Sequence, residues 1–339
     1  MTQESEKTSN RAIDGTTCRL PRNPYLFVVG CPRSGTTLLQ RMLDNHPQLA
    51  VANDTLFIPE GIEKRFTGID PPLTSAQIER VLHYRKFHRL DLPMEEALKA
   101  AKEARTYGGF VSSLYSALAR LRGKEIAGEK TPHYVRHLPL LHGLFPWVRT
   151  IHIIRDGRDV ALSTLEWAVL KTNPNKGPAR YKLWLEEPVA VCALWWCRHV
   201  STGRRDGTAL GTLQYLEMRY EDLVARPEEV LRDIASFLEL PFAPQMVTYY
   251  KGKTRFHRHR RNEFESAKEA WLPPTPGLRD WRKELKERDV ALFEAIAGNL
   301  LSELKYERAI DRIPPQIVSI AERCLKWWES EMSRRKAKG

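Results

Sequence analysis

The stretch Tyr25-Leu-Phe-Val-Val-Gly-Cys-Pro-Arg-Ser-Gly-Thr-Thr-Leu-Leu-Gln-Arg-Met-Leu43 decides the fold. Tyr25 to Val29 is a short apolar run with aromatic and β-branched members, which predicts a buried strand. A loop of small and basic residues follows, Gly30-Cys31-Pro32-Arg33-Ser34-Gly35-Thr36-Thr37. Leu38, Leu39, Met42 and Leu43 then recur at helical spacing until Asn45-His46-Pro47 stops the helix. Strand, glycine-bearing loop and helix start make a phosphate cradle, because first-turn N–H groups lack partners and the helix dipole favours an anion there. Gly30 and Gly35 keep the spacing of a nucleotide-binding P-loop, but Thr36-Thr37 stand where Lys-[Ser/Thr] belongs. That lysine normally reaches the β- and γ-phosphates of a triphosphate. Here the cation lies inside the loop, at Arg33, which suits one phosphate and an adjacent transferable group without obligatory magnesium.

Outward from this loop, strands alternate with helices. Leu49 to Val51 predicts a second strand ending near Asp54, and Ile126 to Lys130 a third. Thr150 to Ile154 predicts a fourth, running into Arg155 and a helix that carries Ser163. Leu213 to Tyr220 predicts a fifth, with Pro227 opening the helix after it. Helices are expected over Ala76–Phe87, Met94–Arg105, Phe110–Arg122, Tyr134–Phe145 and Val189–Arg204. The fold class is therefore α/β, an open parallel sheet of P-loop type with helices on both faces and ligands at the carboxyl ends of the strands. Arg33 to Thr37, Asp54, Lys130, Arg155 and Tyr220 each follow a strand, so that rule gathers them at one sheet edge.

The 339 residues supply ample length for a core, and 42% apolar with 28% charged residues is the composition of a globular chain. One α/β domain is expected over 23–312, after a flexible segment 1–22 and before a basic C-terminal helix or tail 313–339. The net charge of +12 favours anionic partners without choosing among nucleotide, glycan, acidic peptide and nucleic acid. Cys18, Cys31, Cys192, Cys197 and Cys324 have no metal-ligand spacing, and their odd number argues against a disulfide framework. His83 and His88 likewise lack partners at ligand spacing, so no metal is expected. The polar first 22 residues and the lack of any apolar run near 20 residues predict neither a signal peptide nor a membrane span. A cytoplasmic protein with reduced thiols is the expectation.

These motifs together resemble the sulfotransferases that use 3′-phosphoadenylyl sulfate (PAPS). Cys31 to Thr37 is similar to the family's 5′-phosphosulfate loop, and Arg155 with Ser163 to its 3′-phosphate motif. Arg219-Tyr220-Glu221-Asp222-Leu223 is similar to the segment whose tyrosine lies near adenine. In motif spacing the chain resembles protein-tyrosine sulfotransferases most, within the bacterial-type group. The resemblance implies cofactor contacts from Arg33, Ser34, Gly35, Thr36, Thr37, Arg155, Ser163, Tyr220 and Arg279. It puts Asp54 where that branch has a catalytic glutamate, Lys130 at its transition-state lysine and Ser266 at a second stabilising residue. Asp280 replaces a lysine before Trp281, which leaves Arg279 to take that place, and Trp167 stands where the branch has a cofactor-contacting arginine. The implied activity is in-line transfer of a sulfuryl group from PAPS to an acceptor hydroxyl on a peptide tyrosine, glycan or small molecule. The implied partner is that hydroxyl-bearing acceptor, anionic or neutral, with no specific nucleic acid. A P-loop-type kinase using ATP and a noncatalytic binder of nucleotides or anions stay open as alternatives, as does His133 in place of Asp54 as the base.

Overall fold

The computed structural model describes residues 22–62, 70–167, 170, 173, 175–251, 273–275, 277 and 279–338. The strands are β1 (Leu26–Gly30), β2 (Leu49–Asn53), β3 (Ile126–Lys130), β4 (Arg149–Ile154) and β5 (Tyr215–Arg219). They form one sheet in the order β2-β3-β1-β4-β5, and every pairing is parallel. Parallel neighbours need crossovers, and helices supply them on both faces. Alternation along the strands sorts the core. Phe27, Val29, Ala50 and Ala52 face one layer, with α4 (Tyr107–Leu121) over them, while Leu26, Val28, Leu49 and Val51 face α1 (Thr36–Asp44). The second layer also holds α9 (Pro227–Phe237), through Leu231, Ile234 and Ala235.

A third apolar cluster extends the body beyond β4. It joins α6 (Gly157–Leu165), α7 (Pro188–Thr208), α11 (Glu287–Glu303) and α12 (Pro315–Lys338) through Val160, Trp196, Phe293, Cys324 and Trp328. The remaining α-helices in the described residues are α2 (Ser75–Leu82), α3 (Met94–Glu103), α5 (Leu138–Leu144), α8 (Tyr220–Ala225) and α10 (Trp281–Glu284).

Two expected helices are shorter than their pattern. The run Ala76–Phe87 leaves the helix at Leu82, and Phe87–Leu90 forms a separate 3₁₀ turn. Phe87 packs edge-on against Phe57 at 5.5 Å, so tertiary burial overrides a segment that contains no glycine or proline to mark the break. The run Tyr134–Phe145 divides at His137 into a 3₁₀ turn, Pro132–Arg136, and α5. Pro139 lacks an N–H, so it is tolerated only in the first turn of α5. The fifth strand begins at Tyr215, leaving Leu213 in the preceding turn and exposed.

Register aligns the strand ends. Asn53 lies opposite Lys130, Val28 opposite Lys130, Gly30 opposite Ile153 and Ile154 opposite Arg219. The residues just beyond these positions therefore share one edge of the sheet.

Candidate active site at the carboxyl edge of the sheet

The loop after β1 is built by close approach. Arg33 and Gly35 have φ of 80° and 86°, and a Cβ on Gly35 would meet the Tyr220 ring at 2.2 Å. Only glycine allows both that conformation and that contact. The guanidinium of Arg155 lies over the other partner of this contact, 4.5 Å from the centroid of the Tyr220 ring. Arg33 Nε donates to Ser163 Oγ at 3.0 Å, across 130 residues. The loop after β1 and the strand-to-helix element after β4 are thus joined twice, through Gly35–Tyr220–Arg155 and through Arg33–Ser163. Helix α1 opens without a side-chain cap. Ser34 Oγ and Arg155 Nε are buried and have no hydrogen-bond partner among the described residues. Polar atoms of this kind are costly unless a ligand or water completes them, so the donor set fits an anionic nucleotide.

Lys130 ends β3, is 4% exposed and donates to Thr37 Oγ1 at 3.3 Å. Burial lowers its pKa to about 8; Asp54 opposes that shift and the cations Lys86 and Arg89 add to it. Asp54 follows β2 with a φ of 56°, and its N–H donates to the Lys130 carbonyl at 2.6 Å. Lys86 Nζ and an Arg89 N–H both reach Asp54 Oδ2 at 2.7 Å. No described residue hydrogen-bonds Oδ1. Burial pushes the Asp54 carboxyl up, but Lys86, Lys130 and Arg89 outweigh it and hold the group below its ordinary range. Asp54 is therefore ionised at neutral pH.

Glu129 fixes these two residues relative to each other. Fully buried, it accepts hydrogen bonds from the backbone N–H and hydroxyl of Thr55 at 2.8 and 2.6 Å. The hydroxyls of Thr131 and Tyr115 also donate to it. One carboxylate thus ties the turn containing Asp54 to the end of β3. His133 stands three residues beyond Lys130. Burial and Arg136 lower its pKa to about 3, so its ring is neutral over the physiological range.

In the element after β4, Arg158 is fully buried and ion-paired to Asp156 at 2.8 Å and Glu294 at 2.6 Å. Its guanidinium lies 3.6 Å from the Trp281 ring, whose N–H donates to Asp156 at 3.2 Å. This network ties α6 to α10 and α11. Arg279 pairs with Glu166 at 2.9 Å at the end of α6, and the next residue, Trp167, lies 5.8 Å from the Arg33 guanidinium. Ser266 lies outside the described residues.

The structure brings Arg33, Ser34, Gly35, Thr36, Thr37, Asp54, Lys130, Arg155, Ser163 and Tyr220 to one sheet edge. Sequence reading missed Lys86 and Arg89, which reach Asp54 across 32 and 35 residues. It also missed Glu129 as an organiser; a carboxylate next to Lys130 at the end of β3 was the available signal. Among the described residues no cluster of His, Cys, Asp or Glu could hold a metal ion. No described helix is long and apolar enough to cross a membrane.

Comparison with known proteins agrees with this architecture. An uncharacterized protein of Aquifex aeolicus (strain VF5) is 27% identical over 295 residues, 81% of this chain and 35% of that protein. A protein-tyrosine sulfotransferase of Drosophila melanogaster is 27% identical over 228 residues, 65% of this chain and 38% of its own length. The chain thus spans little more than a third of these two curated relatives. The sulfotransferase domain of the Synechococcus PCC 7002 olefin synthase shares the fold, with a TM-score of 0.57 at 22% identity over 86% of this chain and 97% of that one. The profile of the sulfotransferase family matches residues 24–244, a segment that contains all five strands and the loop, Asp54, Lys130 and Arg155; the chain belongs to that family.

Proposed function

We propose that this chain moves a sulfuryl group from PAPS to an acceptor hydroxyl by in-line displacement. The observation that supports this most is the double junction between the loop after β1 and the element after β4, Arg33 on Ser163 and Gly35 on Tyr220 under Arg155. It gives a nucleotide with phosphates at both the 5′ and 3′ positions one continuous set of donors. In this reading Arg33, Ser34, Gly35, Thr36 and Thr37 hold the 5′-phosphosulfate. Arg155 and Ser163 hold the 3′-phosphate, Tyr220 lies near the adenine, and Arg279 closes from the α10 side with Ser266 as a further stabilising residue. The acceptor oxygen attacks sulfur, and the bond from sulfur to the bridging oxygen of the 5′-phosphate breaks. The acceptor proton passes to Asp54 Oδ1, and the ammonium of Lys130 neutralises the charge that develops on the departing phosphate. The products are a sulfate ester and adenosine 3′,5′-bisphosphate.

The kinase alternative lacks the Gly-Lys-[Ser/Thr] lysine, Thr36 standing at that position. Calorimetry discriminates the readings. Adenosine 3′,5′-bisphosphate should bind well above AMP and ATP, and Arg155→Ala should remove the preference. Equal affinity for AMP would discard the 3′-phosphate assignment.

A further inference from the structure

Three arginines meet beside the proposed transfer centre without a carboxylate among them. Arg136 closes the 3₁₀ turn that begins at Pro132, three residues after His133, so the two side chains project from the same side. The His133 ring stands edge-on to Trp195 at 5.8 Å, and its Nδ1 lies 3.3 Å from His199 Nε2. Arg198 is three residues along α7 from Trp195, on the neighbouring part of the same helix face. Arg180 comes from a separate 3₁₀ turn, Gly177–Arg180, and its guanidinium lies 5.2 Å from the rings of both Trp195 and Tyr181.

None of the three forms an ion pair with a described residue. Arg180 donates to the Tyr181 hydroxyl at 3.2 Å, and Arg198 donates to the sulfur of Met332 at 2.7 Å. Arg136 makes no hydrogen bond to a described residue, and its Nε is buried. Burial, followed by Arg198 and Arg180, lowers the Arg136 pKa to about 10. The nearby carboxylates are engaged elsewhere. Glu331 is held by Arg334 and by Arg335, whose guanidinium covers the Tyr181 ring at 4.7 Å. Asp54 is held by Lys86 and Arg89. His133 links the cluster to the transfer centre along the chain, three residues after Lys130 and three before Arg136, and its ring lies within electrostatic range of Asp54 and Lys86 as well as of Arg136 and Arg180.

Like charges held together against aromatic faces cost stability unless an anion completes them, and guanidinium groups bind oxyanions through two N–H groups at once. We propose that Arg136, Arg180 and Arg198 form an oxyanion subsite that holds an anionic group of the acceptor, apart from the hydroxyl that receives sulfur. The assignment to an acceptor rests on the sulfuryl-transfer reading above; the binding site itself does not. Such a subsite orients the acceptor by a group remote from the reacting oxygen, which is how binding away from the chemistry raises turnover.

The test is calorimetric titration of inorganic sulfate, and separately acetate, into the full chain saturated with adenosine 3′,5′-bisphosphate. Saturation fills the phosphate positions of the cradle, and sulfate taken up at the sulfuryl position beside Lys130 would be unaffected by the arginine variants. The wild type should bind sulfate, and Arg180→Gln, at an exposed position whose loss leaves the fold intact, should weaken it at least about tenfold. Arg136→Gln should do the same. The ratio of kcat/KM for a phenol carrying a carboxylate over its uncharged analogue should fall in both variants. Sulfate bound equally by wild type and variants, or no binding by the wild type, would overturn the subsite. Acetate bound as well as sulfate would support a carboxylate occupant, and sulfate alone a sulfate or phosphate ester. If the bisphosphate itself fails to bind, the donor reading falls, and the same wild-type and Arg180→Gln titrations on the free chain still decide the subsite.

Discussion

Lys130 offers a titration that turnover can report. Its pKa lies near 8 because burial costs the ammonium more than Asp54 returns, with Lys86 and Arg89 adding to the cost. Only the charged form can neutralise a departing phosphate. With a pKa of about 8, about nine-tenths of the lysine is charged at pH 7 and about one-tenth at pH 9. The value of kcat/KM for the donor, which reads the free enzyme, should therefore fall about tenfold per pH unit above roughly pH 8. In kcat the same limb should move to higher pH, because bound phosphosulfate stabilises the ammonium. Lys130→Arg keeps a cation that does not titrate, so whatever activity it retains should lack the limb. Stability supplies an independent reading. Between about pH 8 and 10.5 the folded chain binds fewer protons at this site than the unfolded chain, so stability rises with pH across that window. Below pH 8 the penalty for the buried charge is fully present. Lys130→Met should then stabilise the fold at pH 7, by at most about 3 kcal/mol, while lowering kcat by orders of magnitude and sparing bisphosphate affinity. Urea melts at pH 7 and pH 10 with pH–rate profiles would check this. A profile flat to pH 10, with no gain in stability for Lys130→Met, would refute the placement of the charge.

Asp54→Asn should abolish transfer to alcohols, with smaller losses for phenols of falling pKa. With Asp54 intact, Lys86→Gln removes a cation from Oδ2, raises the Asp54 pKa and should shift the acid limb of kcat to higher pH; an unmoved limb would discount Asp54 as the titrating group. Gly35→Ala imposes φ of 86° on a residue with a side chain and drives its Cβ into the Tyr220 ring. A loss of about 2–4 kcal/mol by chemical denaturation is expected, with weakened bisphosphate binding by calorimetry. Arg158→Met leaves Asp156 and Glu294 without their shared cation, and should cost about 3–5 kcal/mol in a denaturant melt. The double change that also makes Glu294→Gln should recover part of it.

The sheet was legible because β1 and β4 are short β-branched runs and the other strands fall between helical patterns, and the site because each strand ends in polar residues that topology must bring together. Gly35 announced a special backbone, although not that Tyr220 would lie against it. Lys86 and Arg89 were not legible. Lys86 sits in the run Ala76–Phe87, whose apolar spacing predicts a helix, and Arg89 lies just beyond it; the chain instead leaves the helix at Leu82, buries Phe87 against Phe57 and brings both cations to Asp54. The break at His137 was similarly hidden, since Pro139 is permitted at a helix start as readily as it forbids a helix interior. Arg136, Arg180 and Arg198 are 44 and 18 residues apart in sequence, so nothing local marks them as a group.

The most direct test of sulfuryl transfer follows the atom itself. The chain is incubated with donor labelled at sulfur and a panel of phenols, alcohols, peptides and glycans, without added magnesium. The account predicts label in an acceptor ester, one adenosine 3′,5′-bisphosphate released per ester formed, and loss of both on Asp54→Asn. Bisphosphate binding with no labelled ester from any acceptor, or magnesium-dependent transfer of phosphate from ATP instead, would contradict it.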